Sequence, residues 1–304
     1  MTAVTHNANI TPKKKKSIWT PGQIVLVAII LIFVLTCVLP ILNVIAISFS
    51  SKSAILRGDV SFWPVEFETK AYEIHFADKT MIDCHFYTVK LTVIYTALAM
   101  VLTILMAYPL TKQRLHGRKF FSFLALFTMY FSGGTIPVYL NVKDFGLLDS
   151  MWSLIIPGIL STYNMIIMKS FFASLPNELE EAATIDGAND FQILLQVILP
   201  LSLASIATLT LFYAVGKWNS FADAKYYIQT KALQPLQLRL YHIIKGSPAV
   251  DVTAIEGNAN SNAQNVSESI ESATIIFATL PILVVYPFVQ RYFVSGVTIG
   301  AVKG

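Results

Sequence analysis

Apolar positions along this chain form long uncharged runs, not the short alternations of a soluble fold. Stretches without Asp, Glu, Lys or Arg cover 17–51, 91–111, 120–142, 150–168, 191–216 and 272–290. A helix crossing hydrocarbon needs about 20 mostly apolar residues, because the core is ~30 Å thick and each residue rises ~1.5 Å. The six runs reach or approach that length and predict helices over about 24–48, 89–111, 119–142, 151–172, 202–222 and 272–292. The expected fold is therefore an all-α membrane protein with six transmembrane helices.

Composition agrees. The 304 residues are 55% hydrophobic and 13% charged, with a mean hydropathy of +0.60. A soluble domain carries roughly 25% charged residues, so lipid must cover much of this surface. The first apolar run is too long for a signal-peptide core and lacks a small-residue cleavage site, and Pro40 is expected to kink it. Cys37 falls within the first expected span and Cys84 in the loop before the second, so no pairing is expected and no metal spacing exists.

Charge sets an orientation. Lys13, Lys14, Lys15 and Lys16 precede the first span, and Lys112, Arg114, Arg118 and Lys119 fill the short 2–3 loop with no acid among them. Basic residues in short loops stay cytoplasmic. With six spans both termini are then cytoplasmic. The chain divides into a tail (1–20) and a transmembrane domain (21–304), with outer loops at 49–88, 143–150 and 223–271. The last includes the polar stretch EGNANSNAQNVSES, expected to be mobile.

One cytoplasmic segment, 173–200, breaks the charge rule. Its NELEEAATIDGAND holds Glu178, Glu180, Glu181, Asp186 and Asp190 and no base. Pro176 fixes an entry, Asn177 is the expected N-cap, the glutamates complement the helix dipole, and Gly187 supplies a stop. Leu179, Ala182, Ala183 and Ile185 make a narrow apolar stripe. A second helix is expected from Asn189 or Asp190, and Pro200 marks its junction with the fifth span. On these grounds an ordinary surface helix and a docking helix are equally served.

The order EAATIDGANDFQILLQVILP, from Glu181 to Pro200, resembles the EAA loop of binding-protein-dependent ABC importer permeases. Glu181, Ala182, Ala183, Asp186, Gly187, Ala188, Leu199 and Pro200 match that pattern. Leu194 replaces its usual Phe, and Val197 its usual Ile. FSGGTIPVYL, KDFGLLDSMWSLIIP, YNMIIMKSFFASLP, AVGKWNSF and PLQLRLYHII are similar to carbohydrate permeases of the LplC/YtcP type, within the maltose-importer-type superfamily. The tail and residues 246–271 resemble them little. The resemblance implies the type I ABC importer permease fold in a bacterial cytoplasmic membrane. It implies a heterodimer with a second related permease, two ATP-binding subunits and an extracytoplasmic solute-binding protein. It also implies oligosaccharide import by alternating access. Glu178, Glu180, Glu181, Ala182, Ala183, Asp186, Gly187, Ala188 and Pro200 would form the ATPase-coupling loop, with Glu181 near basic groups of the ATPase. In the maltose-importer relatives the loop matching 223–271 reaches into the sugar-binding protein.

No G-x-x-x-x-G-K-S/T phosphate loop, H-E-x-x-H or G-x-S-x-G occurs. The chain is thus expected to bind no cofactor and to catalyse nothing itself. ATP and Mg would be used by the partner ATPase, and no nucleic-acid partner is expected. The central stretches of the runs hold no ionisable residue, which disfavours an ion-coupled secondary transporter. A permease for peptides or amino acids stays as a second reading.

Sugars present apolar ring faces edged by hydroxyls, so a path for them needs aromatic and amide groups. The candidates are Tyr130, Tyr139, Tyr163, Asn164, Tyr213, Trp218 and Asn219. Each has a plainer reading: Tyr and Trp belong to the interfacial belt, and Asn164 bonds a neighbouring helix. Lys217 either attracts an acidic sugar or anchors a helix end. Gly133-Gly134 before Pro137 predicts a break in the third span, either as a packing kink or lining a cavity.

Overall fold

The structure, a computed structural model, describes residues 20–245 and 263–301. Lysines 13–16 and residues 246–262 of the third outer loop lie outside the described residues. Among those described no strand forms, and one isolated antiparallel bridge joins Ser50 and Phe67. The all-α expectation holds. Three helices are long and apolar enough to cross a membrane, and six crossings result if each of three bent helix pairs counts as one.

α1 (Pro21–Ser48) is the most apolar of them, with a mean hydropathy of 3.3 over its best window and no residue of that window buried. Pro40 lies inside it without ending it. An apolar surface this long must meet hydrocarbon or another protein. Only its end is tied down: Ser50 Oγ donates to the Ala46 carbonyl at 2.6 Å, and Ser48 Oγ lies 3.0 Å from the Tyr72 hydroxyl.

The expected 49–88 loop is largely helical. It holds α2 (Lys52–Arg57), α3 (Lys70–Ala77) and the start of α4 (Lys79–Ala107). Asp78 caps α4, accepting from the Thr80 amide at 2.9 Å. The second helix thus begins ten residues before the expected 89. Lys79, Asp83, His85 and Lys90 lower the hydropathy there without interrupting backbone hydrogen bonding. Cys84 is therefore not in a loop, as expected, but buried in α4.

The break expected at Gly133-Gly134 in the third span, 119–142, is present, and the fourth expected span, 151–172, is broken as well. α5 (Arg118–Tyr130) and α6 (Thr135–Asp144) meet at 113°. Gly134 sits between them at φ 86°, ψ 172°, a region essentially closed to residues with a Cβ. α7 (Met151–Ile155) runs into a 3-10 turn, Ile156–Gly158, where Pro157 offers no N–H. α8 (Thr162–Phe172) continues at 52° to it.

α9 (Asn177–Ile185) precedes α10 (Asp190–Ile193), a π-helical turn (Leu194–Ile198) and α11 (Leu199–Leu201). α12 (Leu203–Trp218) then departs at 84°. Pro200 removes one donor at this elbow, and Ser202 Oγ donates to the Ile198 carbonyl at 2.7 Å. The expected outer loop 223–271 contains α13 (Ala222–Tyr227), α14 (Leu236–Ile244) and the beginning of α15 (Ala263–Ala301), which also carries the sixth expected span.

α4 is the central post, packed on α12 and α8, while α15 packs on α1 and α12. Thr88, Thr92, Thr96 and Thr103 are buried along α4. Small polar residues let helices approach closely and bond across the contact. Thr88 Oγ1 donates to the Cys84 carbonyl at 2.7 Å and accepts from the Leu236 amide at 2.8 Å. One apolar core, with Tyr108, Met168, Phe172, Ile193, Ile198 and Leu209, lies at the α9 end. Another, with Leu91, Leu154, Ile155, Tyr227 and Leu238, lies towards the far end.

Candidate functional site

The acidic segment folds as a capped helix, a glycine turn and a second capped helix. α9 opens with Pro176 at the N-cap position and Asn177 as its first helical residue. This corrects the expected Asn177 cap. Extended backbone at Pro176 (φ −60°, ψ 129°) ends one residue earlier, so no side chain caps this end. At the other end Gly187 adopts φ 84°. Its amide donates to the Thr184 carbonyl and the Ala188 amide to the Ala183 carbonyl, each at 3.0 Å, the paired bonds of a Schellman turn. Asn189 then caps α10: its Oδ1 accepts from the Gln192 amide, and Gln192 Oε1 accepts from the Asn189 amide, both at 2.9 Å.

Two faces result. Ala183 and Ala188 pack on the core through small side chains. Ala182 and Pro200 are exposed, and Ile185 is 86% exposed.

The acids also divide. Glu180 pairs with Lys112, both largely shielded from solvent, and Asp190 pairs with Arg114 at an exposed site. Glu178, Glu181 and Asp186 are exposed and make no ion pair among the described residues. The base-only 2–3 loop thus neutralises Glu180 and Asp190 within the chain. A cleft of about 920 Å³ separates that loop from α9, with Lys112, Arg114, Arg118, Glu180 and Glu181 on its walls. The sequence reading used Lys112 and Arg114 only for orientation. An all-basic loop and an all-acidic loop on one side were the available sign of their pairing.

The aromatic and amide candidates are not brought together. Tyr213 is buried, its hydroxyl 2.7 Å from Thr103 Oγ1 and accepting from the Ser161 amide at 3.1 Å. Trp218 is buried and donates from Nε1 to the Ala278 carbonyl at 3.0 Å. Asn164 is buried as well. Tyr139 is half-buried and stacks with Tyr227, ring centres 6.2 Å apart. Tyr213, Trp218 and Tyr139 join helices. Tyr130, Tyr163 and Asn219 stay exposed. Thr128 Oγ1 and Thr162 Oγ1, on the helices that carry Tyr130 and Tyr163, lie 3.5 Å apart. Lys217 is buried, donates to the Leu154 carbonyl and lies 4.8 Å from the Tyr95 ring centre, so it anchors α12 and does not meet solvent.

A residue unmarked by sequence, Asp149, ties the far end. At φ 56° it accepts from the Gln229 amide at 3.0 Å, the Thr230 amide at 2.8 Å and Thr230 Oγ1 at 2.5 Å. These bonds, Thr230's first, hold its carboxyl below the usual carboxylate range.

With this geometry in place, likeness to known proteins can be stated. Residues 19–299 match the family described as "Binding-protein-dependent transport system inner membrane component". The chain is 42% identical over 275 residues to the polygalacturonan/rhamnogalacturonan transport system permease protein YtcP of Bacillus subtilis (strain 168), covering 90% of this chain and 96% of that one. It is 43% identical over 267 residues to Protein LplC of the same strain, covering 88% and 90%. Among solved structures it is similar, with a TM-score of 0.83 and 33% identity, to a chain of a bacterial ABC transporter involved in the import of the acidic polysaccharide alginate. That match covers 91% of this chain and 99% of the other.

Proposed function

The chain belongs to the family of binding-protein-dependent transport system inner membrane components, and from that premise we propose that it is the permease subunit of an ATP-driven importer of complex oligosaccharides. The observation that carries this is its nearly full-length likeness, in sequence and in fold, to a chain of the alginate-importing transporter.

In this reading the chain crosses the membrane six times with both termini cytoplasmic. The α9 end faces the cytoplasm, as Lys112, Arg114, Arg118 and Lys119 at that end favour. It binds no cofactor: ATP and Mg belong to two ATPase subunits, a second permease completes the path, and a solute-binding protein delivers the sugar. α9 is the coupling helix. Glu178, Glu181 and Asp186 give it charge complementarity, which selects and orients a partner more than it tightens binding. Ile185 and Leu179 supply apolar contact. ATP closes the ATPase dimer, α9 carries the motion, and the membrane helices open outward to receive substrate. Tyr130, Tyr163 and Asn219 are the groups left to touch sugar.

The test is uptake by the assembled transporter in proteoliposomes. Oligogalacturonates, alginate oligosaccharides, neutral maltooligosaccharides and short peptides are the probes. ATP-driven, ionophore-insensitive uptake of an oligosaccharide supports the reading. Uptake of peptides alone, or uptake abolished by ionophores with ATP present, overturns it.

A further inference from the structure

We propose that Lys112 and Arg114 are positioning residues that clamp the coupling segment to the cytoplasmic end of α4, so that α9 and α10 move with the membrane helices as one body. The proposal rests on the importer reading above.

The segment needs such a clamp. Ile193 seats α10 in the core, but the apolar attachment of α9 near the turn is Ala183 and, just past it, Ala188, while Leu179 and Ile185 are exposed. Between α9 and α10 stands Gly187, the most pliable residue type, with no atom within 4 Å of where a Cβ would lie. A push on α9 held by alanines alone would be lost as bending at this glycine.

The two ion pairs bracket that hinge. Lys112 holds Glu180 on α9, and Arg114 holds Asp190, the first residue of α10. Both bases come from one short stretch that follows α4 through a 3-10 turn, Pro109–Thr111. The turn is itself fixed: Thr111 Oγ1 donates to the Tyr108 carbonyl at 2.7 Å, and Arg118 Nη1 donates to the Thr111 carbonyl at 3.2 Å.

Lys112 is the stronger link. Its side chain is 15% exposed and that of Glu180 25%, against 65% and 59% for Arg114 and Asp190. Coulomb attraction strengthens as water withdraws, and exposed pairs contribute little. The Lys112 ammonium also lies 4.1 Å from the ring centre of buried Tyr108, whose ring meets Phe172 of α8 edge-on at 6.3 Å. A continuous chain thus runs from α9 through Glu180, Lys112 and Tyr108 into α4 and α8.

The test uses the whole transporter, with its ATPase, in nanodiscs and proteoliposomes. Variants are Lys112→Gln, Glu180→Gln, Lys112→Glu, Glu180→Lys and the double swap Lys112→Glu/Glu180→Lys. Spin labels at Asn177→Cys and Val101→Cys, both exposed, report the α9–α4 distance in a Cys37→Ser background. Oligogalacturonate transported per ATP reports coupling. The single variants should broaden the distance distribution and lower uptake per ATP about tenfold, within the roughly 5- to 150-fold span of site-to-site coupling. The ATPase should still co-purify. The double swap should restore a narrow distribution and most of the uptake. A distribution unchanged by the single variants, a swap no better than they are, or loss of the ATPase with the distance unchanged would each overturn the clamp. Parent transporter that moves no oligosaccharide would count against the importer reading instead, and the distance widths would still decide this one.

Discussion

Gly187 offers a clean measurement because its substitution acts through the backbone alone. At φ 84° it occupies the left-handed region, and a Cβ added there meets nothing within 4 Å. Gly187→Ala therefore creates no clash with neighbours, only the left-handed penalty of about 1–2 kcal/mol. Both turn amides, Gly187 and Ala188, keep their partners. If the docked state needs this turn and the free segment relaxes out of it, the penalty falls on docking and raises the Kd for the ATPase roughly 5- to 30-fold. Asn tolerates the left-handed region better than Ala. Gly187→Asn should bind between the two, Gly187→Val should be worse than Ala, and Gly187→Pro, which also removes the donor to Thr184, worse still. The assay is titration of the purified ATPase onto the reconstituted permease, with uptake measured in parallel. Ala binding as well as Gly, or Asn no better than Ala, would refute the reasoning.

Four further outcomes are expected. Glu181→Lys should lower ATPase recruitment and uptake while leaving the amount of membrane-inserted protein unchanged, as a pull-down from isolated membranes would read. Tyr213→Phe strips the partner shared by Thr103 and the Ser161 amide, at a cost of about 1–3 kcal/mol for the unsatisfied groups, and should lower the Tm; Tyr163→Ala, at an exposed site, should lower uptake with the Tm unchanged. Glu66 is held at about 2, below its ordinary 4.5, by hydrogen bonds from Ser51, Ser53 and Arg57. Its contribution is complete above pH 4.5 and lost as pH falls through about 2, so hydrogen exchange at the Ala54 amide should accelerate across that window in the parent but show no such step in Glu66→Gln.

Much of the architecture was legible because it follows from hydropathy. Uncharged runs locate the long apolar helices, and the cap and stop residues around 176–190 locate the glycine turn within one position. The misreadings share a cause. A hydropathy run measures transfer into lipid, not helix continuity, so it misses that α4 begins at Lys79 and that the fourth expected span breaks at Ile156–Gly158, whereas the break at Gly134 is legible from its glycines and Pro137. The path candidates divide between buried and exposed positions for a related reason. Residue type alone does not separate a tyrosine facing a cavity from Tyr213, whose hydroxyl is used between helices. Lys112 was visible as a charge, but its bond to Glu180 spans 68 positions, and only the fold brings the two together.

The elbow at Ser202 has a mechanical consequence. Residues 190–201 and 203–218 form two arms of roughly 18 and 24 Å at ~1.5 Å per residue, set at 84°. Turned as a unit about their corner, they act as a bell crank. A shift of about 3 Å at the tip of the short arm is a rotation of roughly 10°, and it sweeps the tip of the long arm through about 4 Å. The near right angle also redirects the stroke, so a displacement across the short arm at its tip becomes a nearly perpendicular one at the end of the long arm. A small push suffices, provided the corner stays stiff.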